Sequence, residues 1–320
     1  MLRARLAVLT LGLAACGGSS GTGTDGITLA DGLADPSNLA ADQTSVYVST
    51  SAAPRDGAIL KVPKTGGSPV SLTHGQFLGG YSHAVAVDST RVYFVVVDTH
   101  SGVTNTIMTV PTAGGSPQPL VPNRSSIYSI TLDAANLYWT EPQTGSVVKA
   151  PKVGGSPLTL ITGAAEPSVL AVDSMHVYWI NRFAGLARMG LDGSNPTMLG
   201  TIAADSGPVL AIDSTHAYWG MNGYLEAVPK AGGQQVTLLP DYGTVGSDIA
   251  TDGSMIYWLK SGTCGAASCN ADGAVVKMPV AGGPQTVVAA GLTQPAALVL
   301  DQGYVYWIER GNGAVRRVAK

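Results

Sequence analysis

Short apolar runs that end in an aspartate recur seven times along the chain, and each is followed by an apolar run that contains a tyrosine. The tyrosine always lies five residues after the aspartate. The seven pairs are Asp42/Tyr47, Asp88/Tyr93, Asp133/Tyr138, Asp173/Tyr178, Asp213/Tyr218, Asp252/Tyr257 and Asp301/Tyr306. Tryptophan directly follows five of these tyrosines, and these five are all the tryptophans in the chain. Such fixed spacing predicts a repeat protein.

The unit over residues 127–160 contains four short apolar segments that are separated by turn residues. These segments predict strands at residues 129–132, 137–140, 145–151 and 156–160. Neighbouring side chains such as Tyr138 and Trp139 point to opposite faces of a strand, so both are buried only where the sheet is covered on both faces. Paired glycines between the third and fourth strands, as at Gly154 and Gly155, supply the positive φ of a tight hairpin. We therefore predict four-stranded antiparallel sheets that pack against one another.

The length of the repeat indicates the architecture. Successive aspartates are 46, 45, 40, 40, 39 and 49 residues apart, and four strands in 40 to 50 residues is the size of a β-propeller blade. Residues 137–141 (LYWTE) and 189–193 (MGLDG) resemble the YWTD and NHL classes of propeller repeat. This resemblance implies a fold and indicates no ligand. We predict an all-β, seven-bladed β-propeller with four-stranded antiparallel blades over residues 26–320.

The seventh unit predicts how the ring closes. It has three predicted strands and ends at Lys320 without a fourth. Residues 30–36 (ADGLADP) match residues 289–295 (AAGLTQP), which leave the fourth strand of the sixth unit. Residues 26–33 are therefore predicted to form the outer strand of blade seven. This strand would close the ring without a covalent bond and would cover an open sheet edge.

The first residues have the pattern of an export signal. Arg3 and Arg5 precede an apolar run at residues 6–15, which is too short to cross a bilayer as a helix. The run ends in Leu-Ala-Ala-Cys at residues 13–16 and resembles a bacterial lipobox. The resemblance implies that residues 1–15 are removed and that Cys16 carries the lipid. An ordinary signal peptide with an incidental cysteine is the alternative.

The following segment predicts a spacer between lipid and propeller. Residues 16–25 are rich in Gly and Ser, as in a flexible tether. Gly17 stands where lipoproteins retained at the inner membrane carry aspartate, so by analogy we expect the outer membrane or cell surface. The protein would contact the membrane through its lipid anchor only.

Composition excludes one large class of partner. Charged residues make up 12% of the chain. Without residues 1–15, which hold two arginines and no acidic residue, 16 basic residues face 21 acidic ones, a formal net charge of about −5. A mildly acidic chain without a basic run has no electrostatic footprint for nucleic acid. We expect a monomer without a cofactor.

The recurring aspartates are interpreted as turn caps, because a carboxylate at this position can accept hydrogen bonds from backbone N–H groups two residues on. Catalysis or calcium binding is the alternative. Cys264 and Cys269 lie in one long loop of the sixth unit. In an exported protein this pair predicts a disulfide. The alternative is a metal site, of which two thiols would supply half the ligands.

The channel mouth is the candidate ligand site, because propeller loops on one face meet there. The residue five before each aspartate should line it: Ser37, His83, Tyr128, Ser168, Pro208, Ser247 and Ala296. His74 and His100 lie in loops expected on the same face, and they are either ligand contacts or solvated loop residues. No metal site is predicted from these histidines, since spacing fixes no further ligand. Nearby acidic residues predict a mildly acidic rim: Glu141, Glu166, Asp205, Asp241, Asp248 and Glu309.

Three hypotheses on function follow. The first is a non-catalytic surface lipoprotein that binds a protein, glycan or small ligand at the mouth; His74, His83, His100, Tyr128, Ser168 and Ser247 are the candidate contacts. The second is an enzyme that resembles virginiamycin B lyase or gluconolactonase in fold. That resemblance implies His and Glu at the mouth, whereas only His83 and Tyr128 are suitably placed here. The third is an assembly scaffold, and fold analogy does not decide among them.

Overall fold

The computed structural model describes residues 26–51, 57–75, 84–98, 104–201, 208–221, 224–240, 246–264 and 270–320. Within these ranges the chain forms 28 strands and one turn of 3-10 helix at Pro142–Thr144. The strands make seven separate four-stranded antiparallel sheets. The predicted seven-bladed all-β propeller is therefore confirmed.

Each blade has four strands in order from the channel to the rim. The first strands are β2 (Pro36–Ala41), β6 (Val85–Val87), β10 (Ile130–Leu132), β14 (Pro167–Val172), β18 (Val209–Ile212), β22 (Ile249–Thr251) and β26 (Pro295–Leu300). The second strands are β3 (Ser45–Thr50), β7 (Arg91–Asp98), β11 (Asn136–Glu141), β15 (His176–Asn181), β19 (His216–Met221), β23 (Met255–Lys260) and β27 (Tyr304–Glu309). The third strands are β4 (Ala58–Pro63), β8 (Thr104–Pro111), β12 (Ser146–Pro151), β16 (Gly185–Gly190), β20 (Tyr224–Pro229), β24 (Gly273–Pro279) and β28 (Ala314–Ala319). The fourth strands are β5 (Val70–Ser71), β9 (Gln118–Arg124), β13 (Leu158–Ile161), β17 (Thr197–Thr201), β21 (Val236–Leu239), β25 (Thr286–Leu292) and β1 (Ile27–Ala30).

The first strands surround the central channel, since each contacts the first strands of both neighbouring blades, including β2 with β26. The molecule consequently has two distinct ends. We call the end that carries the turns from first to second and from third to fourth strand the turn face. The opposite end, with the other connections, is the mouth face.

The ring closes as predicted from residues 26–33. Strand β1 pairs antiparallel with β28, with Ile27 opposite Arg317 and Ala30 opposite Val315. Leu29 is buried in the cluster between blades seven and one. Gly26 precedes the strand with φ 71°, and a Cβ at this position would lie 2.5 Å from the Trp307 ring. Both termini of the propeller are thus joined in one sheet.

The seven aspartates cap their turns, as predicted. In the fourth blade, Asp173 Oδ1 accepts the backbone N–H groups of Met175 and His176, each at 2.8 Å. Its Oδ2 accepts the Tyr178 hydroxyl at 3.0 Å. The tyrosine-to-aspartate bond is present in all seven blades at 2.7 to 3.3 Å. Each aspartate thereby fixes both the turn and the side chain that follows it.

The aromatic pairs are buried on both sides of the sheet. Every tyrosine of the seven pairs and all five tryptophans are at most 2% exposed. In blade three, Tyr138 packs in the cluster shared with blade four, whereas Trp139 packs in the cluster shared with blade two. The predicted packing role of these residues is confirmed.

Lysines directly after the third strand connect neighbouring blades, and we call them turn lysines. Three of them begin the turn to the fourth strand, and Lys320 follows β28. All four lie at the same structural position. There the backbone N–H donates to a carbonyl of the same blade, that of the residue two after the recurring aspartate, as Lys152 does to Ala135. The pairs with the aspartate of the preceding blade are Lys64–Asp301 at 2.8 Å, Lys152–Asp88 at 2.9 Å, Lys230–Asp173 at 2.6 Å and Lys320–Asp252 at 3.2 Å. The other blades have Thr112, Leu191 and Val280 at this position.

Deletion of residues 26–33 should lower the melting temperature by at least about 5 °C, because it exposes the β28 edge and removes the buried Leu29 side chain. Differential scanning calorimetry of the purified protein measures this change. Deletion of residues 17–25 is the matched control and should leave the melting temperature unchanged. Equal melting of all three proteins would contradict the role of β1 in closure.

The Lys230–Asp173 pair should make stability sensitive to acid. Burial raises the pKa of Asp173, but bonds from Lys230, the two turn N–H groups and Tyr178 outweigh it and bring the pKa to about 2. Because the unfolded pKa is about 3.9, the contribution is complete above about pH 4 and is lost as pH falls towards 2.

Lys230→Met should therefore reduce the loss of stability between pH 5 and 2, by about 1 kcal/mol or less since the pair is partly exposed. Urea unfolding at a series of pH values gives this quantity. Lys61→Met is the control, because Lys61 donates to the Thr112 carbonyl and not to an aspartate. If Lys230→Met retained the full acid dependence, the pair would not be its source.

Candidate functional site

A cavity of about 370 Å³ lies at the mouth face of the channel and is built mainly from first strands. Six blades contribute side chains to it. Its lining residues are Ser37, Asn38, Leu39, Val85, Tyr128, Ser129, Ile130, Thr131, Leu170, Ser247, Asp248, Ala296, Ala297 and Arg310. The apolar members come from the strand cores, and the polar members are concentrated where the strands begin.

A smaller cavity of about 130 Å³ adjoins the first at Tyr128, which lines both. Its other lining residues are Pro142, Glu166, Ser168, Arg182 and Pro208. Tyr128 is half-buried, and its backbone N–H donates to the Thr140 carbonyl at 3.1 Å. The two cavities together extend the mouth from blades seven and one across to blades four and five.

Six of the seven residues that lie five before an aspartate are described, and all six lie at the mouth, as expected from their spacing. Ser37, Tyr128, Ser247 and Ala296 line the larger cavity, and Ser168 and Pro208 line the smaller one. His83 lies outside the described residues. The structure thus brings Tyr128, Ser168 and Ser247 to one region, and it leaves their part in ligand binding as a prediction.

The serine hydroxyls at the mouth are already held by the protein. Ser247 is exposed, and its hydroxyl lies 2.6 Å from the Ala296 carbonyl of the next blade. Ser168 is buried, and its hydroxyl donates to the Ile180 carbonyl at 3.1 Å. Such bonds fix the orientation of these oxygens, which keep lone pairs for a further donor.

Two acidic residues expected at the rim are buried instead. Glu141 and Glu309 are 2% and 1% exposed. Each accepts the indole N–H of the tryptophan two residues earlier, Trp139 at 2.7 Å and Trp307 at 3.3 Å. Each also pairs with an arginine, Arg124 at 2.6 Å for Glu141 and Arg316 at 2.8 Å for Glu309. The expectation of an acidic rim was wrong for these residues, because buried donors draw their carboxylates inward.

Asp248 is likewise a structural acceptor, although it lines the larger cavity. It is 9% exposed, and its two oxygens accept the backbone N–H groups of Ile249 and Leu298, both at 2.8 Å. Since Leu298 belongs to blade seven, the carboxylate connects blades six and seven. Asn38 does the same between blades one and two, through its bond with the Ala84 N–H at 3.4 Å.

The exposed charges of the mouth form two ion pairs, whose arginines were not predicted from the sequence and one of whose acids, Glu166, was expected at the rim. Arg310 pairs with Asp35 at 2.8 Å, and Arg182 pairs with Glu166 at 3.5 Å; all four side chains are 45–48% exposed. Arg182 and Arg310 occupy the same place, immediately after the second strand of their blades. An alignment of the units on their Asp/Tyr pairs would have revealed this recurrence. Asp205 and Asp241 of the expected rim lie outside the described residues.

The remaining candidate residues lie away from the two cavities or outside the described residues. His74 is exposed, and its Nδ1 lies 3.3 Å from the Ser71 hydroxyl, away from both cavities. His100, Cys269 and Cys16 lie outside the described residues. The disulfide between Cys264 and Cys269 and the lipidation of Cys16 therefore stay predictions. Within the described ranges no three His, Cys, Asp or Glu residues are grouped as metal ligands, and no helix has the length and apolarity of a membrane span.

Comparison with solved structures identifies the class as β-propellers. Virginiamycin B lyase from Staphylococcus aureus matches with a TM-score of 0.69 at 13% identity over 92% of this chain and 98% of that chain. BamB from Moraxella catarrhalis matches with a TM-score of 0.57 at 13% identity over 89% and 85%.

The nidogen/laminin complex gives a TM-score of 0.50 at 18% identity, over 71% of this chain and 88% of that chain, which supports the predicted YWTD-like repeat. No family model and no curated protein sequence matches the chain at a significant level. At identities this low the comparisons establish a shared fold, and enzymes as well as other proteins share it.

Asp248→Ala should lower the free energy of unfolding by about 2–4 kcal/mol, because it leaves two buried backbone N–H groups without an acceptor. Asp35→Ala, which removes an exposed ion pair of the same mouth, should cost less than about 1 kcal/mol. Urea unfolding of both variants gives the comparison. Equal small losses would show that Asp248 does not hold blades six and seven together.

Proposed function

We propose that the protein is an exported, lipid-anchored propeller that binds a protein, glycan or small ligand at the channel mouth without catalysing a reaction. One observation carries this proposal: the buried carboxylates around the mouth are already bound by protein donors. Asp248 accepts two backbone N–H groups, and Glu141 and Glu309 accept indoles and arginines. What the mouth offers a ligand is a hydrogen-bonding surface.

The polar groups that line the mouth are hydroxyls and the two exposed ion pairs of Arg182 and Arg310. Tyr128 lines both cavities, and Ser247 and Arg310 lie at the rim of the larger one. Tyrosine and arginine favour binding surfaces, because they combine apolar contact area with hydrogen-bonding groups. The lining comes from several blades on a rigid ring, so the site is largely preformed, as small-ligand and recognition sites usually are.

The direction of β1 supports a mouth that is accessible on an anchored protein. Ile27 lies opposite Arg317 near the turn face, and the Leu33 N–H donates to the Gly313 carbonyl at the mouth face at 2.9 Å. A segment attached to Gly26 therefore begins at the turn face. A tether over residues 16–25 would reach at most about 35 Å. The turn face would then face the membrane, and the mouth would face away from it.

The similar structures include virginiamycin B lyase and an oligogalacturonate lyase in complex with manganese, as well as a nidogen/laminin complex. The shared fold is thus compatible with a lyase-like enzyme and with a binding module. We favour binding because Asp248, Glu141 and Glu309 are held in structural bonds, while acid–base catalysis requires a group free to exchange a proton. Glu166, the exposed carboxylate of the smaller cavity, is paired with Arg182.

Photo-crosslinking in intact cells tests the proposal. Phe183 and Met175 flank β15 at the mouth and turn faces and are 57% and 67% exposed. A benzophenone amino acid at position 183 should give a covalent adduct with the partner, whereas position 175 in the same blade is the matched control and should give none. Adducts from position 175 alone, or from neither position, would contradict binding at the mouth.

The anchor is checked with the same cells. In a Cys16→Ser variant the propeller should move from the membrane fraction to the soluble exported fraction. Retention in the membrane fraction would contradict lipid anchoring and leave the crosslinking result intact, so the two parts of the proposal are tested separately.

A further inference from the structure

A third cavity lies far from the mouth, on the turn face between blades two and three. It has a volume of about 690 Å³ and opens to solvent. Its lining includes Asp88, Arg91, Tyr93, Thr109 and Lys152. The site described above uses none of these residues, so the cavity requires its own explanation.

The position of Thr109 differs chemically from its equivalents in most other blades. Thr109 lies on the third strand, opposite Tyr93. The residues opposite the corresponding tyrosines in the other blades are Lys61, Lys149, Arg188, Ala227, Lys277 and Arg317. Five of these six are cations. Threonine is shorter than lysine or arginine by several atoms, and the cavity occupies the space that their side chains fill.

The cations at this position make a recurring contact. Lys61 donates to the Thr112 carbonyl at 2.9 Å, and Lys149 donates to the Leu191 carbonyl at 2.5 Å. Arg317 donates to the Lys64 carbonyl at 2.5 Å, and Arg188 donates to the Lys230 carbonyl. Each acceptor is the turn residue of the next blade. The corresponding acceptor for blade two is Lys152, which lines the cavity.

The identity of the neighbouring turn residue indicates which cation is missing. Three other junctions have a turn lysine. At two of them, Lys64 and Lys230, the strand cation is an arginine that donates to the lysine carbonyl. At the third, Lys320, the strand cation is Lys277. At both junctions with an arginine the turn lysine pairs with an aspartate while the arginine lies beside it: Lys64 pairs with Asp301, and Lys230 pairs with Asp173. A lysine and a guanidinium can therefore share such a junction with one aspartate. Lys152 pairs with Asp88 in the same way. The position of Thr109 therefore has the surroundings that a guanidinium has in blades four and seven.

Thr109 provides an independent sign of a ligand. Its side chain is 4% exposed, and its hydroxyl has no hydrogen-bond partner. A buried hydroxyl without a partner costs free energy, so a donor that reaches this oxygen gains a hydrogen bond at little cost. The junction between blades five and six also lacks the cation, but there Ala227 packs with Met278 and Val280 in an apolar cluster. Among the described residues, blade two combines the missing cation with a polar cavity.

We propose that this cavity binds a small guanidinium compound of the arginine type. Its guanidinium takes the place that Arg188 and Arg317 occupy in their blades. It donates to the Lys152 carbonyl and, after rotation of the Thr109 side chain, to the Thr109 hydroxyl. The Tyr93 ring offers a surface for the cation, as Tyr47 does for Lys61 at 6.0 Å. Arg91 is exposed at the opening and meets the carboxylate of the ligand.

Isothermal titration with L-arginine and L-citrulline tests the proposal on the purified wild-type protein. The two compounds differ only in the group at the end of the side chain, which is a guanidinium in one and a neutral urea in the other. L-Arginine should bind with a stoichiometry of one, and L-citrulline should bind at least about tenfold more weakly. Equal binding of both compounds, or no binding of L-arginine, would overturn a guanidinium site.

Two variants at one position localise the binding. Thr109→Arg should abolish L-arginine binding, because the new side chain fills the cavity and makes the contact that Arg317 makes. Thr109→Val keeps the shape without the hydroxyl and should weaken binding about tenfold. Undiminished binding to Thr109→Val would place L-arginine elsewhere, and this conclusion holds even if Thr109→Arg fails to fold.

Discussion

The fold depends on one carboxylate that is repeated seven times. The aspartate at the end of each first strand accepts two backbone N–H groups through one oxygen and a tyrosine hydroxyl through the other, as at Asp173 and Tyr178. It therefore fixes the hairpin and holds the large side chain between two blades. Because the same contact recurs in each blade, the packing between neighbours repeats around the ring, and the first strands are left to form the channel.

The fold was largely predictable, because the aspartate and the tyrosine that fix each blade are only five residues apart in the sequence. The spacing between Asp173 and Tyr178 encodes a turn and a buried side chain within six residues. The closing strand at residues 26–33 was also predictable, because residues 30–36 repeat residues 289–295. Both features are local patterns, and repetition makes them visible.

The mouth was less predictable, because its chemistry depends on side-chain contacts that do not recur in every blade and on contacts between blades. Glu141 and Glu309 seemed to be rim acids until the indole and arginine that bind them were located. Asp248 lines the cavity, yet it accepts the N–H of Leu298, 50 residues away. Thr109 shows the converse: its difference from Lys61 and Lys149 is visible in an alignment, but the cavity that results is visible only in space.

The turn lysines occur in alternate blades: one, three, five and seven. A ring of seven blades has room for only three that are all separated from one another. With four lysine-bearing blades, two must therefore be neighbours. They meet where blade seven adjoins blade one. Blade seven is consequently joined by an ion pair on both sides, through Lys320 to Asp252 and through Lys64 to Asp301. The odd number of blades therefore places an ion pair on each side of blade seven, which is the one blade built from two separate parts of the chain.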